Sequence, residues 1–247
     1  MNKTVLIIGY GSIGKKHAKL LKKFKNVSKI YILTKQNCGN FNRVKSISEV
    51  NKIDPDYILI CSRTSDHFKH LSYLEKNLKN KIILVEKPVF ENFKNFRVHN
   101  NKVFIGYNLR YHPVINFIKN YVKNKKIFSI NVSCYSYLPN WRKNIRYQES
   151  ASASMSKGGG VLLELSHEID YMQYIFGDLS VDYSINKKVS NLEIDTDDYL
   201  LICGEFKKGG LFNIETSYFS KQKRRKIFVE TTRISIELDF IKSQMKI

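Results

Sequence analysis

Gly9, Gly11 and Gly14 stand in the order G-Y-G-S-I-G, directly after the apolar run Val5 to Ile8. Directly after them Ile13, His17, Leu20, Leu21 and Phe24 recur at helical spacing. A strand, a tight turn and a helix in this order make a cradle for a dinucleotide. Gly9 permits the turn, Gly11 lets the backbone approach a pyrophosphate, and Gly14 lets helix and strand pack closely. The helix N-terminus meanwhile offers N–H groups that lack intrahelical acceptors. The expected cradle is therefore Gly9, Gly11, Ser12, Ile13 and Gly14, with a merely structural glycine turn as the alternative.

Such a cradle usually works with an acidic side chain about 20 residues on, which accepts hydrogen bonds from the adenine ribose. The second apolar run, Lys29 to Leu33, ends instead in Thr34, Lys35 and Gln36. A hydroxyl and a cation at that place suit the 2′-phosphate of NADP better than the ribose diol of NAD. The expected cofactor is NADP or NAD, leaning to NADP through Thr34 and Lys35. A solvated loop lysine is the other reading of Lys35.

The elements that must hold these groups follow from periodicity. Apolar runs at Val5 to Ile8, Lys29 to Leu33, Tyr57 to Cys61, Ile82 to Val85 and Val103 to Ile105 alternate with helical patterns at Ile13 to Lys23 and Ser65 to Leu78 and a short turn near Ser46 to Lys52. Strands separated by helices predict an α/β, Rossmann-type, doubly wound parallel sheet over residues 1–106. Ligands of such sheets gather beyond the carboxyl ends of the strands. That rule singles out Ser62, Arg63, Thr64 and His67 after the third run, and Glu86, Lys87 and Pro88 after the fourth. His67 reads equally well as a helix-start residue.

From residue 107 on the texture changes. A helix is expected at Pro113 to Lys123, a long strand at Ile127 to Tyr137, and, after Gly158-Gly159-Gly160, a helix from Val161 to Phe176 that Gly177 closes. Strands then follow at Val181 to Val189, Tyr199 to Phe206, Leu211 to Tyr218, Ile227 to Thr231 and Ile234 to Asp239, joined by short turns such as Lys207-Lys208-Gly209-Gly210. This predicts an α+β domain over residues 107–247 with an open, mainly antiparallel sheet. Helices should cover one face of that sheet, and a second copy of the chain, in a homodimer or homotetramer, the other.

The chain has 247 residues, 43% of them hydrophobic, which suffices for two modest domains. Lys+Arg 42 against Asp+Glu 22 gives a formal charge of +20. These charges are spread through helices, loops and strand ends without an aromatic and basic recognition motif, so nucleic acid is not an expected partner. The densest run, Lys221 to Lys226 (K-Q-K-R-R-K), is expected to be an exposed hairpin connection. The four cysteines, Cys38, Cys61, Cys134 and Cys203, are too scattered for a metal site or a disulfide framework, and no metal is expected. There is no signal-peptide pattern and no apolar stretch long enough to span a bilayer, so a cytoplasmic protein without membrane insertion is expected.

Read together, G-Y-G-S-I-G-K-K-H, C-S-R-T-S-D-H from Cys61, E-K-P from Glu86, G-Y-N-L-R-Y-H-P from Gly106 and G-G-G-V-L-L-E-L-S-H-E-I-D from Gly158 resemble the Gfo/Idh/MocA family of NAD(P)-dependent oxidoreductases. The order and spacing match across most of the chain, and E-K-P is the most specific piece. Y-L-P-N-W-R at Tyr137 to Arg142 resembles a branch associated with bacterial sugar and surface-glycan pathways.

The resemblance implies that Lys87 reaches the reacting carbon and the nicotinamide, and that His167 exchanges the hydroxyl proton. Glu164 would stand with His167 in the catalytic set, although the family more often places an Asp or Asn four residues before this His, where this chain has Leu163. Asp170 would orient the imidazole or contact substrate, with a solvent-facing helix residue as the alternative. Tyr107, Arg110, Trp141, Arg142 and Arg146 are candidate substrate contacts, since aromatics stack on sugar faces and arginines fork onto phosphates or carboxylates. Trp141 reads equally as a core residue. The family's chains commonly continue past the pattern at Ile234 to Asp239, so the second domain reads as shortened at its C-terminus.

Two function classes remain at this stage. One is hydride transfer between nicotinamide and a secondary alcohol or ketone of a sugar, amino sugar or nucleotide sugar. The other is a non-catalytic Rossmann-fold protein that binds the cofactor as a regulator or sensor.

Overall fold

The structure, a computed structural model, describes residues 2–142 and 145–247. It divides into two compact units, Met1–Gly106 and Tyr107–Ile247.

The first unit runs β1 (Lys3–Ile8), α1 (Ser12–Leu21), β2 (Val27–Leu33), β3 (Asn42–Val44), α2 (Val50–Ile53), β4 (Tyr57–Ile60), α3 (Thr64–Asn77), β5 (Ile82–Val85) and β6 (Lys102–Ile105). The six strands form one parallel sheet in the order β3-β2-β1-β4-β5-β6. β1 is central and apolar on both faces, as a strand covered on both sides must be. Leu6 and Ile8 pack with Ile58, Ile60, Ile83 and Val85 and with Leu71 and Leu74 of α3. Val5 and Ile7 pack with Ile32 and Leu59 and with Ala18 of α1 on the other face. The chain order reverses between β1 and β4, which opens a crevice beyond the carboxyl ends of these strands. Gly9, Cys61 and Glu86 are the first residues past the ends of β1, β4 and β5.

One strand of this unit carries no signal in the sequence. β3 is a three-residue edge strand with two exposed polar side chains, so it carries no periodic signal. The passage from β2 to β3 is a short loop with Gly39 at φ 61°, not a helix. Residues 86–101 likewise contain no helix or strand. They are held to α3 by the edge-on trio Phe68, Phe90 and Phe96 and by Glu75, which accepts from the backbone N–H of His99 and of Asn100.

The second unit runs α4 (Pro113–Val122), β7 (Ile127–Tyr137), α5 (Val161–Glu164), α6 (His167–Phe176), β8 (Leu179–Lys187), β9 (Tyr199–Phe206), β10 (Leu211–Ser217), β11 (Phe219–Thr231), β12 (Ser235–Asp239) and β13 (Gln244–Lys246). The sheet order is β13-β12-β11-β7-β10-β9-β8. α4 and α6 cover one face, where Ile115, Ile118, Tyr171, Met172 and Phe176 pack on Ile130, Val132, Ile214, Ile227 and Val229.

The simple meander expected here is corrected in one respect. β7 lies between β10 and β11, parallel to the first and antiparallel to the second. The chain bends at the buried Tyr218 between these two strands, and the Tyr218 carbonyl accepts from the N–H of Leu138, just past the end of β7. The basic run Lys221 to Lys226 is a second correction. It is not a hairpin connection but the first half of the 13-residue strand β11, with Arg224 and Arg225 paired to Tyr135 and Cys134 of β7. Long cationic side chains can flank a paired strand while their charged ends lie over neighbouring rings, as Lys221 does over Tyr137 and Arg224 over Tyr135.

The helix expected from Val161 to Phe176 is broken at Leu165–Ser166, so that His167 opens α6. Gly177 ends it at φ 93°, ψ −159°, outside the left-handed helical region.

Candidate active site

In the first unit the glycine turn has the geometry a dinucleotide needs. Gly9 has φ 96°, and a Cβ there would lie 2.7 Å from the Cys61 carbonyl oxygen; a Cβ on Gly14 would lie 2.2 Å from the Gly9 carbonyl oxygen. β1, β4 and α1 therefore approach to distances that side chains forbid. Gly11 differs, because a Cβ there would meet nothing within 4 Å. It is the N-cap of α1, no side chain caps that helix, and no acidic residue stands in its first turn. With no capping side chain at the start of α1 and room over Gly11, the turn fits a pyrophosphate.

Beyond β2, Thr34 accepts from the Gln36 N–H at 3.1 Å and Lys35 is exposed. Beyond β4, the Ser62 hydroxyl lies 3.0 Å from His70 Nδ1, Arg63 is the exposed N-cap of α3, and Thr64 begins that helix. His67 is 1% exposed. Its Nδ1 lies 3.1 Å from the Pro88 carbonyl oxygen and its Nε2 3.1 Å from that of Ser62. Burial pushes its imidazole below the usual range although both carbonyls favour the charged ring. His67 therefore ties the turn after β4 to the turn after β5.

Beyond β5, Glu86 and Lys87 are half-buried and Pro88 is buried. Glu86 Oε1 lies 2.7 Å from His17 Nε2 of α1.

In the second unit the residues around His167 form one connected set. The Tyr107 hydroxyl donates to Ser166 Oγ at 3.3 Å, and Ser166 donates to the Leu163 carbonyl at 2.9 Å. The Tyr107 ring meets the His167 ring edge-on at 5.6 Å. Burial raises the Tyr107 phenol above its ordinary range, which keeps it a neutral hydrogen-bond donor. Arg110 grips the buried Asp170 carboxylate, with Nε 2.9 Å from Oδ2. That carboxylate is the first cause holding the guanidinium charged. Arg110 and Asp170 thus spend much of their hydrogen-bonding capacity on each other, one helical turn past the start of α6.

Glu164 ends α5 and accepts from the Ser152 hydroxyl at 2.7 Å. Because the helix is broken between Glu164 and His167, their three-residue spacing does not place them on one helix face. Trp141 donates from Nε1 to Ser136 Oγ at 3.0 Å and meets Tyr218 edge-on at 5.1 Å, packed on Leu138 and Val161. Arg142 and Arg146 are exposed.

Three contributors were missed by sequence reasoning. Gly160, at φ 115°, comes so close to Asp197 that a Cβ would lie 2.1 Å from Oδ1. Asp197 accepts from the N–H of Leu162 at 2.9 Å and so anchors the start of α5. Nothing in the spacing marks Asp197 for this task. Glu168, fully buried, accepts from Arg225 Nε at 2.7 Å, tying the first turn of α6 to β11. Its only sequence signal is an acidic residue next to His167.

Residues 3–100 match the family described as "Oxidoreductase family, NAD-binding Rossmann fold" and residues 122–237 match "Oxidoreductase family, C-terminal alpha/beta domain", both of Gfo/Idh/MocA. The chain belongs to the Gfo/Idh/MocA oxidoreductase family. None of the curated proteins matches its sequence.

Solved structures share the fold of this Gfo/Idh/MocA oxidoreductase at low identity. The WlbA dehydrogenase from Bordetella pertussis, in complex with NADH and UDP-GlcNAcA, superposes with a TM-score of 0.82 at 11% identity, over 98% of this chain and 79% of that one. D-galactose-1-dehydrogenase from Rhizobium etli gives 0.81 at 15% identity, over 100% and 81%. UDP-N-acetylglucosamine 3-dehydrogenase GnnA from Acidithiobacillus ferrooxidans gives 0.75 at 13%, over 99% and 79%. Among the described residues no cluster of His, Cys, Asp and Glu could hold a metal ion, and no helix is long and apolar enough to cross a membrane.

Proposed function

We propose that this Gfo/Idh/MocA oxidoreductase moves a hydride between a nicotinamide cofactor and a secondary alcohol or ketone of a sugar, amino sugar or nucleotide sugar, in bacterial surface-glycan biosynthesis. The observation that carries the cofactor half is the open space over Gly11 at the uncapped start of α1. The substrate class is supported by the fold shared with enzymes whose names specify galactose or a UDP-sugar. The basic balance of +20, with Arg142 and Arg146 exposed beyond β7, favours an anionic substrate.

Bound NAD(P) supplies the hydride acceptor or donor. Lys87 offers a positive charge and three donors to the substrate oxygen, stabilising it as it becomes an alkoxide. His167 takes or returns the proton, because imidazole exchanges protons near neutral pH. The Tyr107 hydroxyl and the Arg110–Asp170 pair fix the start of α6, so the imidazole is held before substrate arrives. Glu164 belongs to the proposed set as a carboxylate near the proton path, and Trp141, Arg142 and Arg146 to the proposed substrate contacts. The test is a panel of sugars and nucleotide sugars presented to the cofactor-loaded protein, with nicotinamide absorbance as the readout.

Thr34 and Lys35 carry the cofactor preference. NADPH is expected to bind about 10-fold more tightly than NADH, since one charge-assisted contact to the 2′-phosphate is worth on the order of 1.4 kcal/mol. Fluorescence titrations with both reduced cofactors check this, and equal affinities or tighter NADH contradict it.

The sheet face of the second unit that α4 and α6 leave open carries Tyr183, Leu211 and Phe228, all exposed, beside Leu201 and Tyr199. These side chains share the face with Asn131, Asn213, Glu215 and Lys226, a mixed surface of the kind that a second copy of the chain covers. Light scattering is expected to give at least twice the 28.9 kDa chain mass, and a clean monomer at micromolar concentration contradicts self-association. Cytoplasmic residence completes the reading.

A further inference from the structure

His17 closes the glycine-turn motif, and hydride transfer as described gives it no task. It lies in the middle of α1, with Nε2 2.7 Å from Glu86 Oε1. The two side chains are only 21% and 17% exposed. A carboxylate can only accept, so Nε2 carries the proton and donates. The partners are 69 residues apart in sequence. One belongs to the helix whose start fits the pyrophosphate, the other is the neighbour of Lys87.

Glu86 has little freedom to find another position. A Cβ on Gly106 would come within 3.1 Å of its Oε2, so the carboxylate lies close over the backbone at the end of β6. On the far side of Lys87, the Pro88 carbonyl faces His67 Nδ1 at 3.1 Å, and His67 is itself buried. Lys87 thus stands between two residues that are each fastened by a histidine from a different helix, α1 and α3. A half-buried lysine has a long, rotamer-rich side chain, and fixing its backbone on both sides reduces what must be ordered when it meets its target.

We propose that His17 is a positioning residue, which through Glu86 locks the Lys87 turn onto the helix that receives the dinucleotide. This rests on the proposed cofactor site. While the bond stands, a dinucleotide seated on α1 finds the Lys87 turn already in register for its nicotinamide end. When it is broken, the pyrophosphate still binds but the nicotinamide end is left loosely held.

The experiment is a titration of the full chain with NADPH, following the emission of the reduced nicotinamide, which rises when the ring is immobilised out of water. In His17→Leu the dissociation constant should stay within about threefold of wild type while emission at saturation falls by about half or more. His17→Gln, whose carboxamide can still donate to Glu86, should recover most of that emission. Glu86→Leu should reproduce the loss, and the double variant should be no worse than either single, because one shared bond is lost only once. His17→Ala carries the same expectation should His17→Leu fail to fold. Wild-type emission at saturation in the variants, additive losses, or no recovery in His17→Gln overturns the positioning role. Absence of binding of both NADPH and NADH by the wild-type chain overturns the cofactor reading itself, and the role of His17 with it.

Discussion

Lys87→Met is expected to slow hydride transfer by about 100-fold or more, while the affinity for reduced cofactor changes little. The reason is the place of the charge. Lys87 is the second residue past β5 at the carboxyl end of the sheet, in a turn fastened at Glu86 and Pro88. A preorganised cation stabilises a developing alkoxide without reorganising at the moment of reaction, and removing such a group costs on the order of 3 kcal/mol of barrier. Methionine keeps the length and the apolar stem, so packing of the turn should survive. Single-turnover mixing measures the hydride step, and a separate fluorescence titration measures binding. His167→Asn should act in the same direction but less strongly near neutral pH, where water can replace a solvent-connected base, and it should remove one ionisation from the pH–rate profile. Glu164→Gln discriminates between a carboxylate that serves His167 and one that only anchors the Ser152 loop. A loss as large as that of His167→Asn assigns it to the chemistry, whereas a silent variant assigns it to the loop.

Arg225→Met is expected to be the most destabilising conservative substitution in the second unit, at about 3–5 kcal/mol in chemical unfolding, the usual cost of leaving one member of a buried ion pair behind. Glu168 is 0% exposed and is bonded to Arg225. Burial pushes its carboxyl above the ordinary range, with the guanidinium opposing that effect. The nearby titratable groups are the Cys134 thiol and the Tyr171 phenol, both raised by burial and hence neutral. Neither can replace the lost cation.

The sign of the pH dependence follows. Without Arg225 the Glu168 carboxyl in the folded variant titrates well above its unfolded value, so the folded state binds a proton that the unfolded state has released. Folding of the variant is then favoured as pH falls, and the deficit should shrink by about 1–2 kcal/mol between mildly alkaline and mildly acidic conditions. A second substitution, Glu168→Gln in the same chain, should recover much of the deficit at alkaline pH, because a neutral amide is cheaper to bury than a lone carboxylate. A deficit independent of pH would mean that the pair contributes packing and not charge.

The parallel sheet was legible because its strands are buried on both faces and read as unbroken apolar runs. Val5 to Ile8 and Ile82 to Val85 are of this kind, each followed at once by chemistry-bearing residues. The same logic located Ser62, His67 and Glu86 to Pro88, since topology alone puts strand ends at one edge. What could not be read were features set by long-range pairing. Placing β7 between β10 and β11 depends on which strands share hydrogen bonds, and alternation within a strand does not encode its neighbours. The run Lys221 to Lys226 looked like a loop because charge suggests solvent, yet its members lie along a strand whose aromatic neighbours on β7 accept cations on their faces. The break between Glu164 and His167 was hidden for another reason. Val161 to Phe176 keeps its apolar residues near helical spacing through the break, and no glycine or proline marks Leu165 or Ser166.

Presenting oxidised or reduced nicotinamide cofactor, bound to the full chain, to a panel of sugars, amino sugars and nucleotide sugars and their keto forms tests the account most directly. The expected result is a stoichiometric change in nicotinamide absorbance with at least one member, lost in Lys87→Met while that variant still binds the cofactor. Cofactor binding without hydride transfer to or from any member, or undiminished transfer by Lys87→Met, would contradict the account.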